Sequence, residues 1–283
     1  MQWSMLMLLL ASDADSKPEI TWLQLDWPPY QIVSGPYAGE GTNDLMSKEL
    51  ISRLPQFSHT IQLTNLQRME QAFVQAQPGI CTMFGTLYSE KRAQNRLFSD
   101  AMMVGSIMTV AFIELSLHRH PAMSADSVEF PILAKDPELK GAFQPNRQYP
   151  MHIKQIVSSS DTNLIAHNFT SEVNAAALLS SGRVDYVLDY PDRLNYFNQL
   201  LPQPINLQFK AIDGVDEFPQ SYISCSKDEA GQRAIDAINA VLPELWQDEA
   251  YLSAMRRWLD DASWRYLARD VERLQQANAT LKP

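Results

Sequence analysis

The chain has 283 residues, 45% hydrophobic and 20% charged, which is ordinary globular composition and long enough for two lobes of roughly 100–150 residues each. The formal net charge is −10 with no dense basic patch to offset it, so nucleic acid is not an expected partner. Apart from a short N-terminal stretch, the chain has no apolar run approaching the roughly 20 residues of a membrane span.

Met5 to Leu10, followed by Ala11 and Ser12, looks like the apolar core of a secretory signal with small residues after it, although no basic residue precedes it. Residues 1–17 are therefore expected to be an export segment, with the remaining chain periplasmic. Ile20 to Leu25 alternates and predicts a strand, ended by Trp27-Pro28-Pro29-Tyr30 because prolines cannot continue a ladder. After a glycine-rich turn, Asn43-Asp44 opens a helix whose apolar residues Leu45, Met46, Leu50, Ile51 and Leu54 keep helical spacing up to Pro55. A strand over Thr60–Leu63, a helix over Gln67–Ala76 and a strand over Gly79–Phe84 follow. This alternation predicts a parallel, three-layered α/β lobe.

Val104 to Ile113 is a long apolar strand pattern that leaves that lobe, while 114–150 is rich in proline and charge and shows no clear period. Ile153 to Val157 predicts a strand, and Ser158-Ser159-Ser160-Asp161 a capped helix start. A helix over Ala175–Leu179, ended by Gly182, and a strand over Val184–Leu188 complete a second α/β unit. Tyr222–Ser224 predicts a returning strand, and helices follow at about 228–244, 248–260 and 262–277. Two crossings imply a hinge and a cleft between lobes, where small-molecule sites form. Cys81 and Cys225 both fall on predicted strands. An exported chain allows them to be oxidised to one bridge; the other reading is two buried, inert thiols.

Four segments carry a family resemblance. They are Asp26-Trp27-Pro28-Pro29-Tyr30 with Gly39, Gly41 and Asp44-Leu45; Gly85-Thr86-Leu87-Tyr88-Ser89-Glu90-Lys91-Arg92 with Phe98-Ser99-Asp100; Ser181-Gly182-Arg183-Val184-Asp185 with Tyr190-Pro191; and Tyr222 to Lys227. In this order and spacing they resemble the family 3 extracellular solute-binding proteins, the amino-acid-binding branch of the type II periplasmic fold. The resemblance implies two three-layer α/β/α lobes joined by two crossing strands, with the ligand cleft between them. The lobes divide as 18–112 and 218–283 for the first and 113–217 for the second. It also implies a monomer that captures a small polar, carboxylate-bearing solute for an inner-membrane ABC permease or sensor, without a cofactor or metal. A Cys81–Cys225 bridge would then link two strands of the first lobe.

For the site, the resemblance implies that Arg92 grips the ligand carboxylate, a task suited to a rigid fork of guanidinium donors. Gly85 and Thr86 lie at a strand end, where a backbone N–H and a hydroxyl reach a ligand oxygen. Trp27 stacks on the ligand, with Tyr30 beside it. Ser159 and Ser160 are expected to bind an anion at a helix start. Two departures point away from a standard α-amino acid. Asp161 stands where a small or hydroxyl residue is usual, and the slot for the acidic residue that receives an ammonium falls on Tyr190, with Asp189 one residue earlier and Asp192 close by. The competing reading is an enzyme on the same fold, a dehydratase or lytic-transglycosylase type using a cleft carboxylate, with Glu40, Asp189 or Glu217 as general acid. His118-x-His120 lacks a convincing third metal ligand and reads as a polar loop.

Overall fold

The computed structural model of the chain describes residues 17–279, apart from 84, 114, 146, 148, 169–173 and 216–218. The expected export segment, save Lys17, and the candidate acid Glu217 therefore lie outside the described residues.

The first lobe begins with β1 (Glu19–Gln24), α1 (Thr42–Ser52), β2 (Ser58–Leu63), α2 (Leu66–Val74) and β3 (Ile80–Thr82), then the short α3 (Glu90–Ala93) and β4 (Arg96–Phe98). β1 runs parallel to both β2 and β3, as a strand–helix alternation requires. The chain leaves through β5 (Met103–Val104). The second lobe comprises β6 (Thr109–Phe112), β7 (Ser127–Val128), α4 (Phe130–Leu133), β8 (Gly141–Phe143), α5 (Met151–Val157), β9 (Leu164–Ala166), α6 (Ala175–Ser180), β10 (Tyr186–Asp189), α7 (Pro191–Gln199) and β11 (Gln208–Ile212). The return passes through β12 (Gln220–Ser221) to β13 (Ser224–Ser226), and α8 (Glu229–Leu245), α9 (Glu249–Arg256) and α10 (Asp261–Ala279) close the first lobe.

Two sheets result. One has strand order β2-β1-β3-β13-β4, the other β7-β11-β6-β10-β8-β9. The crossing strands β5 and β12 pair antiparallel with each other, so the connection between the lobes is itself a two-stranded ribbon. The expected crossing at residue 112 is corrected here. Thr109–Phe112 is a buried central strand of the second sheet, hydrogen-bonded to β10 and β11, and the crossing comes at Met103–Val104. A second correction concerns Ile153–Val157, which is helical. Ile153, Ile156 and Val157 sit at i, i+3 and i+4, a spacing that puts them on one helix face, and Ile153 is buried.

Each sheet carries an apolar layer on both faces. In the first lobe, Trp22, Met46, Leu50, Trp246 and Tyr251 pack beneath α1, α8 and α9, while Leu23, Met69, Phe73 and Ile80 pack under α2. In the second lobe β10 is buried along its whole length, as expected of a central strand covered on both faces. Gly141 on the neighbouring β8 is required sterically, because a Cβ there would lie 2.3 Å from the Tyr186 ring. Cys81 and Cys225 face each other across β3 and β13 and form a disulfide.

A candidate ligand cleft between the lobes

The loops at the carboxyl ends of the parallel strands converge on one space, the usual place for a ligand in open α/β sheets. From the first lobe come Trp27 and Tyr30 after β1, Gly85 and Leu87 after β3, and Asn43 at the start of α1. From the second come Gln144, Pro145 and Arg147 after β8, and Tyr190 and Arg193 after β10. Met103, Gly105, Ser106, Pro219 and Ser221 of the crossing ribbon and its flanks form the back wall. The cavity is about 510 Å³, within the range of small-molecule sites.

Trp27 is half exposed and meets Tyr30 edge-on at 5.8 Å. Its backbone carbonyl accepts from the N–H groups of Tyr30 and Gln31, which fixes the turn that presents both rings. Asp44 anchors the same loop by accepting from Ile32 N (2.8 Å), Gly41 N (3.1 Å) and Gln24 Nε2 (3.0 Å). Gly85 adopts φ +84°, a conformation costly for residues with a Cβ, and a Cβ there would approach Asn43 Nδ2 to 3.1 Å.

Thr86 and Arg92 line a smaller side pocket of about 140 Å³ that shares Trp27, Gly85 and Leu87 with the main cavity. Thr86 is buried, its hydroxyl bonded to that of Thr82 at 2.8 Å. The Arg92 guanidinium is already engaged, by Leu87 O at 2.9 Å and Glu70 at 3.2 Å, and Glu70 also holds the fully buried Arg96 at 2.6 Å. About a third of the Arg92 side chain is exposed. Arg92→Ala is therefore expected to change unfolding free energy by less than about 1 kcal/mol, the usual worth of an exposed pair. A urea titration measures it, and a larger loss would mean that the pair holds α2 in place.

Ser159 and Ser160 do not sit at a helix start. They follow the carboxyl end of α5, where Ser158 is the C-cap, and both are exposed away from the cavity. Backbone carbonyls rather than free N–H groups end that helix, so the expected anion site is absent from this turn. Ser159 Oγ instead accepts from Asp161 N at 3.2 Å.

At the end of β10 the one-residue alternation decides the outcome. Tyr190 faces the cavity, while Asp189 is buried behind it and paired with Arg147 at 2.7 Å and Arg193 at 3.5 Å. Asp192 is also buried; the Tyr30 hydroxyl and the Arg193 N–H donate to it, and burial pushes its pKa up. Burial and the neighbouring Asp192 likewise push the Tyr30 phenol up.

Sequence reasoning did not single out Arg147, Arg193 or Asn43. Arg147 lies in the aperiodic 114–150 stretch, and the strand before it has three residues, too few to show a period. Of the candidate acids, Glu40 is paired with Arg257 at 2.6 Å and Asp189 with two arginines. His118 packs edge-on to Phe112, and His120 bonds Asp136 at 2.9 Å. Among the described residues no group of three or more His, Cys, Asp or Glu side chains is placed to hold a metal, and no helix is long and apolar enough to cross a membrane.

Two α/β lobes, a paired crossing ribbon and a cleft at the strand ends define the two-lobed periplasmic-binding-protein fold, and the chain has that fold. No family model matches the chain, and neither does any curated protein. Solved structures do match it. The probable amino-acid ABC transporter extracellular-binding protein YtmK of Bacillus subtilis is 17% identical with a TM-score of 0.62, over 86% of this chain and 99% of that one. An ancestral cationic amino acid solute-binding protein is 16% identical with a TM-score of 0.61, over 86% and 96%. The amino acid ABC transporter substrate-binding protein AbpA of Streptococcus pneumoniae, bound to L-arginine, is 14% identical with a TM-score of 0.54, over 88% and 96%. All three are named as binding proteins, and at these identities the likeness is one of fold.

Proposed function

We propose that the protein is an exported solute-binding protein that closes on a small polar, carboxylate-bearing molecule and delivers it to an inner-membrane ABC permease or sensor. It acts as a monomer in the periplasm and does no chemistry on the ligand. The observation that carries this reading is the cavity of about 510 Å³ walled by both lobes and backed by the crossing ribbon. A hinge of two short paired strands suits lobe closure, and closure removes water from the polar contacts inside. Trp27, Tyr30, Gly85 and Tyr190 contact the ligand, and Thr86 and Arg92 border the side pocket beside it. The fold-matched transporter binding proteins support the same reading. The enzyme alternative has less to stand on, because Glu40 and Asp189 are held in ion pairs.

A thermal-shift screen against amino acids, polyamines, peptides and organic acids tests the reading. A true ligand at a hundred times its dissociation constant is expected to add about 2.7 kcal/mol of stability. Trp27→Ala is expected to weaken that ligand about tenfold, the order of one lost stacking contact, while leaving the unliganded melting temperature unchanged because the ring is half exposed. Turnover of a bound acid or glycan in the same mixtures would replace binding with catalysis.

A further inference from the structure

The charged side chains that reach the cavity wall are all cationic. Arg147 and Arg193 both line it, with side chains only 13% and 15% exposed. Asp189 pairs with both guanidiniums and Asp192 neighbours Arg193, and both carboxylates are buried behind the wall rather than in it. Their other side-chain hydrogen bonds go to neutral acceptors, Gln144 Oε1 for Arg147 and the Pro28 carbonyl for Arg193, whose Nε is buried without a hydrogen bond. Among the described residues that line the cavity, none is acidic. On the opposite wall Asn43 is 2% exposed, and its amide oxygen is buried without a hydrogen-bond partner.

A zwitterion entering this space would place its ammonium among guanidiniums, with no carboxylate to receive it. A desolvated cation without a counter-charge is costly, and like charges in one site repel. A carboxylate meets the reverse situation, with surplus donors held rigid on one lobe. The Asn43 oxygen can accept from a neutral hydroxyl or amide N–H.

We propose that the cleft selects an organic acid without an α-ammonium group, such as a hydroxy acid or an N-acylated acid, its carboxylate seated on Arg147 and Arg193 of the second lobe. This rests on the solute-binding reading above and narrows it. Trp27, Leu87, Met103 and Tyr190 give the acid's apolar part a surface to cover.

Calorimetric titration with isosteric pairs tests the assignment: lactate and alanine, malate and aspartate, 2-hydroxyglutarate and glutamate, phenyllactate and phenylalanine. In any pair that binds, the hydroxy acid is expected to be tighter by at least about tenfold. An amino acid that binds as tightly as its hydroxy counterpart, or more tightly, overturns the assignment and leaves the solute-binding reading standing. So does a screen whose only ligands are polyamines or other cations. A screen with no ligand at all removes both. The variant Arg147→Gln removes one ligand-facing fork and leaves Asp189 paired with Arg193. It is expected to lose hydroxy-acid binding at least about tenfold while its melting temperature stays close to the parent's. If that variant keeps its affinity while Arg92→Ala loses it, the grip belongs to the first lobe and the assignment fails.

Discussion

Replacing Cys81 and Cys225 together with alanine is expected to lower the unfolding free energy by about 5 kcal/mol, the chain-entropy value for a closed loop of this length. The bridge spans 144 residues of sequence, and that interval contains the whole second lobe and both crossings. The first lobe is discontinuous: β13 must find its place between β3 and β4 after the chain has made a second lobe and come back. Without the bridge, the unfolded chain is free of that constraint and each β3–β13 contact must be formed against the full closure entropy. With it, the return is already made. Both cysteines are essentially unexposed, so two small cavities add to the loss. Urea unfolding of the double variant against the oxidised parent measures the difference. A loss below about 1 kcal/mol would show that the bridge adds nothing beyond the packing around it. Ligand affinity is expected to survive, because neither cysteine lines the cleft.

The same discontinuity explains what the amino-acid sequence discloses and what it hides. In the first lobe, β1, α1, β2 and α2 are six to eleven residues long, enough for alternation, helical spacing and caps to show. The crossing strand β5 and the second lobe's β7 and β8 are not. β5 and β7 have two residues each, and β8 has three. No period can be read from two or three residues, so Arg147 stayed hidden in a stretch that looked like loop. Ile153 to Val157 failed for another reason. Three β-branched residues in five favour a strand locally, while their placement around the helix matches the core, and packing overrode propensity. Arg92 shows a third limit. The motif places it beside a side pocket, but its partner Glu70 lies 22 residues earlier on another helix, a pairing that only the folded chain displays. Trp27 and Tyr30 are presented by a turn whose prolines announce it, and both reach the cavity.

Trp258→Ala is expected to cost about 3–5 kcal/mol, the usual range for truncating a buried tryptophan. Trp258 sits between α9 and α10 and is 2% exposed. It packs edge-on against Tyr37 of the first lobe at 5.1 Å and against Tyr196 on α7 of the second at 5.0 Å. Its indole N–H donates to Glu40 O at 3.2 Å, Asn195 Nδ2 donates to its carbonyl at 3.1 Å, and the Arg257 guanidinium lies over its ring at 4.2 Å. One side chain thus joins the two lobes, together with Ile32 and Phe197 in the same apolar cluster. Removing it deletes packing in both lobes and frees them to part. Two readouts should move together. The urea midpoint should fall by the stated amount, and small-angle scattering of the unliganded variant should show a larger radius of gyration. Ligand affinity should drop by the fraction of molecules no longer closed. Trp258→Phe keeps an aromatic ring but loses the indole hydrogen bond and some packing volume, so a smaller cost of about 1–3 kcal/mol is expected. If the alanine variant unfolds at the parent's midpoint and stays as compact, the aromatic contact is incidental and the lobes are held by the ribbon alone.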